Sequence, residues 1–499
     1  MTTLIDAFEQ QRLANVRPPD WQNPTPADRY HLVVIGAGPA GLVAAKGAAG
    51  LGARVALIEH NLLGGDCLNV GCVPSKALIR TARLYAEMRD AAHYGALAPD
   101  DVRVDFAMAM ARMRRLRARI SGSDSAAGLQ QAGVDLFLGH ARFLSRDSIE
   151  VDGTRLRFDK AMIATGSRPH APEIKGLDEA GYLTNETIFD LTELPPRLLV
   201  VGGGPLGCEM AQAFSRFGAS TIIAQDMPLF LPKEERDAAQ LLSDAFARDG
   251  LVVRLNTTVT AVHKQDDGLR VDMVSDDYHS SVTVDAVMAG VGRLPNLEGM
   301  DLDAAGVDAD PLAGIRVDDF LRTSNRRIYA AGDVCLENMY TDAADASARI
   351  VVRNALFPGK QRVSRLIIPW CTYTDPEIAH VGLYVRQANR EGIPVRTFTV
   401  PMHEVDRAIV DGEQAGFVKI HVAQHSDKIL GATIVARHAG EMINEITLAM
   451  VNGIGLNRLA NVIHAYPTQA EAIRKAANAC NRERLTPFIA GLMRWWIRR

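Results

Sequence analysis

The sequence predicts an α/β fold: two copies of one strand–turn–helix–strand unit, then a third domain of mixed strands and helices. Three observations predict it. The apolar run Leu32-Val33-Val34-Ile35 leads at once into Gly36-Ala37-Gly38-Pro39-Ala40-Gly41. The same order returns with Leu198-Leu199-Val200-Val201 and Gly202-Gly203-Gly204-Pro205-Leu206-Gly207. From about residue 367 onward, strand and helix patterns continue without another turn of this kind.

Residues 1–29 come first. They are polar and carry Pro18, Pro19, Pro24 and Pro26, so an irregular N-terminal arm is expected. The first unit then runs through an alanine-rich helix to about Leu51 and the strand Val55-Ala56-Leu57-Ile58, ending at Glu59. In the second unit a helix reaches Phe217, and the strand Thr221-Ile222-Ile223-Ala224 ends at Gln225. Gly36 to Glu59 and Gly202 to Gln225 both span 23 positions, so the units share a register. In such a turn the first glycine bends the chain and the second lets a pyrophosphate approach the backbone. The third lets the helix pack on the strand, and the helix's first amides then face the phosphates.

Glu59 stands where an acid accepts hydrogen bonds from an adenosine ribose, although a solvated acid at a strand end reads the same way. Gln225 holds the equivalent place. It is neutral, Asp226 adjoins it, and the next arginine is Arg236, which leans the second site slightly toward NADH over NADPH.

Bulk properties narrow the class. A chain of 499 residues exceeds one compact core, so two to four domains are expected. A net charge of −4 gives no electrostatic reason for a nucleic-acid partner. No run of 18 apolar residues is present, and residues 1–12 lack the core of a signal peptide. Six cysteines are too few for a secreted disulfide framework, so a reducing, cytoplasmic setting is expected.

In that setting a close cysteine pair is catalytic or metal-binding. One follows the first unit: Gly64-Gly65-Asp66-Cys67-Leu68-Asn69-Val70-Gly71-Cys72-Val73-Pro74-Ser75-Lys76. Half of a zinc site, or two unrelated buried thiols, are alternative readings, but no second Cys/His pair at ligand spacing accompanies the first. A helix opening after Asp66 and the cation Lys76 would both favour thiolate.

The segment 64–76 resembles the active-site signature of the class I flavoprotein pyridine nucleotide-disulfide oxidoreductases, the group of dihydrolipoamide dehydrogenase, glutathione reductase and mercuric reductase. Other landmarks follow in family order. Ala164-Thr165-Gly166-Ser167-Arg168-Pro169 resembles the exit from the FAD domain, and Gly292-Arg293-Leu294-Pro295-Asn296 the return into it. Ile328-Tyr329-Ala330-Ala331-Gly332-Asp333 resembles the second FAD fingerprint, and Tyr373-Thr374-Asp375-Pro376-Glu377 the start of the dimerisation domain.

The resemblance implies two Rossmann-like domains, for FAD and NAD(P), plus a C-terminal α+β dimerisation domain. It assigns FAD to the first unit, with Gly36, Gly38, Pro39, Ala40 and Gly41 at the phosphates and Glu59 at the ribose. Gly65, Asp66, Lys76, Thr165, Gly166, Ser167, Gly332 and Asp333 complete that site. NAD(P) goes to the second, with Gly202, Gly204, Pro205, Leu206, Gly207, Glu209, Gln225 and Gly292. Cys67 would be the interchange thiol, Cys72 the thiol against the flavin, and Lys76 with Glu209 a pair near its reactive nitrogen. No metal site is implied. The implied order is an arm at 1–29, FAD domain at 30–167 and 290–366, NAD(P) domain at 168–289, dimerisation domain at 367–484 and a tail at 485–499. A homodimer sharing its active site across the interface follows.

The pattern then breaks. Family disulfide reductases place a histidine base before Pro-Thr near the C-terminus, whereas here His464-Ala465-Tyr466-Pro467-Thr468-Gln469-Ala470-Glu471 puts Tyr466 in that place. A tyrosine with a pKa near ~10 is a poor proton shuttle at neutral pH. Tyr466 and Glu471 are still carried over as catalytic positions, and His464 is read as structural. The change moves weight from dihydrolipoamide dehydrogenase toward a mercuric-reductase-like enzyme acting on a metal ion or another acceptor. The resemblance to mercuric reductase itself is incomplete: Cys480 is the one late cysteine, no vicinal pair ends the chain, and no N-terminal CxxC domain is seen. Low-molecular-weight disulfide reduction and a slowly turning redox sensor or electron-transfer protein stand as rivals. The aromatic and basic tail, 485–499, suits peripheral contact with the inner membrane face, packing across a dimer, or a disordered end.

Overall fold

The structure is a computed structural model that describes residues 6–97, 102–276, 278–485 and 487–498. The first five residues of the expected arm, and Thr486 and Arg499 of the tail, lie outside the described residues. The chain divides into two compact units, one of residues 1–228 and 254–366, the other of residues 229–253 and 367–499.

The arm is not irregular throughout. Ala7–Val16 form helix α1, capped by Asp6, whose carboxylate accepts from the Glu9 amide at 2.8 Å. All four prolines lie downstream and leave the helix intact. Glu9, Arg12 and Val16 are buried, so tertiary contacts complete a helix that polar composition concealed.

In the first unit, β1 (Tyr30–Ile35) pairs in parallel with β2 (Val55–Glu59), in register from Leu32 against Val55 to Ile35 against Ile58. Helix α2 (Pro39–Gly50) joins them. With β3 (Val134–Leu138), β4 (Ala141–Ser145), β5 (Ser148–Val151) and β6 (Thr154–Ile163), the sheet runs β3-β2-β1-β6-β5-β4, and Ile328–Ala330 adds in parallel to β6. Leu32 and Val34 enter one core, with residues of α2 and of the helix Thr341–Leu356; Tyr30, Val33 and Ile35 enter another. Both faces of β1 are therefore buried, which is why it reads as an unbroken apolar run.

The second nucleotide unit repeats the pattern. A short strand, β7 (Ser167–Pro169), precedes β8 (Arg197–Val201), the helix Pro205–Arg216 and β9 (Ser220–Ala224). β8 pairs in parallel with β9 and with Ala286–Ala289. The exit strand β7 and the return strand Arg293–Pro295 pair antiparallel, so the chain leaves and re-enters at one place.

The other unit holds a five-stranded antiparallel sheet, ordered Pro369–Thr372, Glu377–Gly382, Ile429–Ala436, Phe417–Ala423, Val395–Pro401. The helices Ala439–Val451 and Glu471–Glu483 share its core. Residues 229–253 are sewn into it by acids. Glu234 accepts from Trp370 Nε1 at 3.0 Å and from the Tyr384 hydroxyl at 2.8 Å, and Glu235 takes the Lys419 ammonium at 2.5 Å. The tail is helical over Pro487–Ile497 with no buried side chain, rather than a disordered end. Among the described residues no helix is long and apolar enough to cross a membrane.

Candidate active site

The two glycine turns superimpose in their constraints. Gly36 and Gly202 have φ of +98° and +101°, and a Cβ on either would lie 2.4 Å from the Ala164 carbonyl or 2.5 Å from the Gly290 carbonyl. Only glycine tolerates both demands. Gly38 and Gly204 precede helices that open on Pro39 and Pro205 and carry no side-chain cap. A Cβ on Gly38 would meet nothing nearer than Gly65 Cα at 3.9 Å, so the first turns of α2, with Ala40 and Gly41, present bare amides above an open cradle. That arrangement fits the phosphates of a dinucleotide, and the second turn, ending at Leu206 and Gly207, repeats it.

Glu59 closes the first turn, its carboxylate accepting from the Ala37 amide at 2.7 Å and the Asn61 amide at 2.7 Å. Gln225 closes the second, accepting from the Gly203 amide at 2.5 Å and donating to Asp226 at 2.8 Å.

The cysteine segment packs directly on the first turn: a Cβ on Gly65 would come within 2.7 Å of Gly38 Cα. Two helices share that segment, α3 (Gly65–Asn69) and α4 (Cys72–Arg89). The expected single helix after Asp66 is thus two, and Cys72 opens the second, where free amides favour negative charge. Cys67 and Cys72 lie close enough for each thiol to shift the other. Cys72 Sγ also lies 3.3 Å from Thr341 Oγ1. The Cys67 thiol, then the Thr341 hydroxyl and the charge of Lys76, outweigh burial and hold the Cys72 thiol down at about 6. The same closeness and burial push Cys67 up. Lys76 Nζ meets Glu209 Oε2 at 2.8 Å, linking α4 to the helix Pro205–Arg216.

The crossover strands complete this region. Thr165 donates to the Asn296 carbonyl at 2.7 Å, and the Asn296 amide donates to the Gly166 carbonyl at 3.0 Å. Ser167 donates to Asp333 at 2.7 Å, whose carboxyl is raised by burial. Gly332 and Gly292 both have positive φ, and the Gly332 amide donates to Ser347 Oγ at 3.2 Å. Arg293 binds Ser167 Oγ at 2.7 Å and Asp66, tying the return strand to α3. Sequence reasoning quoted Arg293 only inside a motif and missed Thr341 altogether. The signal available for Thr341 was its place near the start of the helix that follows Gly332-Asp333.

Tyr466, Glu471 and His464 belong to the other unit. Tyr466 is 72% exposed and donates to Asp406 at 3.0 Å, a contact that raises its pKa further. Glu471 is buried, accepts from Arg474 at 2.6 Å, and leaves Oε2 without a hydrogen bond. His464 pairs with Glu445 at 3.0 Å. Among the described residues no three His, Cys, Asp or Glu side chains gather into a metal-holding group.

Residues 30–349 match the model of the family described as Pyridine nucleotide-disulphide oxidoreductase, and residues 368–477 match its dimerisation domain. The chain is 32% identical over 450 residues to a mercuric reductase of Lysinibacillus sphaericus, covering 90% of this chain and 82% of that one. It is 34% identical over 464 residues to a dihydrolipoyl dehydrogenase of Thermus scotoductus, covering 91% and 98%. Among solved structures it is similar to the HOCl-induced flavoprotein disulfide reductase RclA of Escherichia coli, at a TM-score of 0.80 and 28% identity, covering 90% and 99%. That protein has also been solved as a Cu(II) complex.

Proposed function

The chain belongs to the pyridine nucleotide-disulphide oxidoreductase family, and within it we propose a homodimeric NAD(P)H-dependent flavoenzyme whose Cys67–Cys72 pair reduces a thiol-seeking metal ion. Bound at the first turn, FAD would supply the relay, taking hydride from the nicotinamide and passing two electrons to the cysteine pair. This chain's residues do the rest. Glycine turns and helix amides hold both pyrophosphates, and Glu59 and Gln225 hold the ribose ends. Lys76, fixed by Glu209, places a cation beside Cys72 and keeps its thiolate populated. The absence of arginine beside Gln225, with Asp226 next to it, supports a lean to NADH.

Tyr466 carries the choice of acceptor. A phenol held by Asp406, with its pKa raised, neither takes nor gives a proton readily near pH 7. Reducing a small disulfide releases a thiolate that benefits from an acid, whereas reducing a thiol-bound metal ion does not. One Hg(II) taken to Hg(0), or two Cu(II) taken to Cu(I), accounts for both electrons as Cys67 and Cys72 close their disulfide. The mercuric reductase relatives and the Cu(II) complex of the structural neighbour support this reading. The dihydrolipoyl dehydrogenase relative favours a second one, reduction of a small disulfide.

Anaerobic oxidation of NADH and NADPH with Hg(II), Cu(II), lipoamide and glutathione disulfide decides between them. The expected result is at least about a tenfold advantage for a metal ion, unchanged in Tyr466→Phe. Faster turnover with lipoamide than with either metal overturns the assignment.

A further inference from the structure

Helix α3 has only five residues, too few to hold its own shape in water, yet it carries Cys67. Its last residue, Asn69, lies between the two cysteines in sequence. The Asn69 amide donates to the carbonyls of Leu63 at 3.0 Å and Gly65 at 2.9 Å. Its side-chain oxygen accepts from Arg12 Nη1, and its backbone carbonyl accepts from Arg117 Nη1 at 2.7 Å. Glu9 holds both guanidiniums: Arg12 Nε lies 3.1 Å from each carboxylate oxygen, and Arg117 Nη2 lies 3.0 Å from Oε2. Glu9, Arg12, Asn69 and Arg117 are all at most 7% exposed. The Leu63 amide also donates to the Val16 carbonyl at 3.1 Å, so α1 grips the segment before α3 as well as its end.

A buried cluster of this kind adds little stability over apolar packing; here Arg117 Nε is left without a hydrogen bond, and the remaining paired groups fix the geometry. We propose that α1 is a positioning strap for the redox pair: Glu9 orients Arg12, Arg12 and Arg117 pin Asn69, and the pinned α3 sets how Cys67 meets Cys72. The inference rests on the redox role proposed for the pair, and Arg12 acts through Asn69 as a positioning residue. Closing the disulfide needs the two sulfurs about 2.05 Å apart and their Cβ atoms at a matching spacing, so the placement of α3 bears on it. The strap fits one placement of α3, so loosening it shifts the dithiol–disulfide equilibrium.

The test equilibrates the full-length flavoprotein with mixtures of reduced and oxidised dithiothreitol, then reads the Cys67–Cys72 disulfide by alkylation and peptide mass. Two electrons and two protons pass from dithiothreitol to the protein, whose S–S bond breaks as the dithiothreitol disulfide ring closes. Arg12→Met is expected to shift this equilibrium about tenfold from wild type, about 30 mV, and Arg12→Lys about threefold. Asn15→Ala removes only the 2.9 Å bond from α1 to Ser121 Oγ, and its shift stays below about twofold. Equilibria matching wild type in the Arg12 variants, or an equal shift in Asn15→Ala, overturn the strap and leave the redox role standing. If Arg12→Met fails to fold, Arg12→Lys decides alone. A wild-type pair that forms no disulfide at any ratio overturns both.

Discussion

The two nucleotide-binding units share one framework and part company at a single side chain. Glu59 receives two amide hydrogens, from Ala37 and Asn61. Gln225 receives one, from Gly203, and hands its own on to Asp226. An ionised carboxylate can serve several donors, whereas a carboxamide has one acceptor oxygen and must face its NH₂ to an acceptor. The second unit therefore keeps its acid but moves it one position outward. Equivalent places in a repeated motif fix geometry; the local count of donors decides which of them can be charged.

The third glycine breaks the comparison most severely. A Cβ on Gly41 would fall 1.8 Å from the Gly36 carbonyl, and one on Gly207 2.3 Å from the Gly202 carbonyl. Gly41→Ala is expected to lower flavin affinity about a hundredfold, while Gly207→Ala keeps the flavin and raises the nicotinamide KM about tenfold. Flavin absorbance per chain and KM, measured side by side, check this; loss of flavin from Gly207→Ala would erase the distinction.

Their thiols differ next. Cys72 is held down at about 6, whereas Cys208, in the helix Pro205–Arg216, is pushed up by burial. At pH 7 iodoacetamide should alkylate Cys72 at least about a hundredfold faster than Cys208. The Cys72 rate should fall below about pH 6, where the thiol keeps its proton, and rise to a plateau above it. Lys76→Met should move that step to higher pH, as peptide mass mapping across pH would show; an unmoved step means the lysine charge is irrelevant to it.

Smaller effects sharpen the contrast at the strand ends. Glu59→Gln turns an NH₂ toward one of two donor amides, so flavin should bind about tenfold more weakly. Asp226→Arg should shift the NADPH-to-NADH ratio of kcat/KM about threefold toward NADPH. An equal flavin loss in Gln225→Ala would show that the two ends are not specialised.

Both glycine turns, the cysteine segment and the crossover strands were legible in the sequence because each is written in contiguous residues. Helix α1 was not. Its buried polar face meets Arg117 and Asn69, residues that lie far from it along the chain, and four nearby prolines pointed the other way. Thr341 and Arg293 escaped for the same reason: the first meets Cys72 and the second meets Asp66 only after folding. Tyr466 was visible as a departure, but its partner Asp406 was not, since no local spacing joins them.

The acids at Glu234 and Glu235 also change where this protein can be cut. A fragment starting at residue 367 would inherit Lys419 and His421 without the carboxylate both face. Its borders in sequence are not the borders of a self-sufficient module. That compact unit is discontinuous in sequence, joining residues 229–253 to residues 367–499.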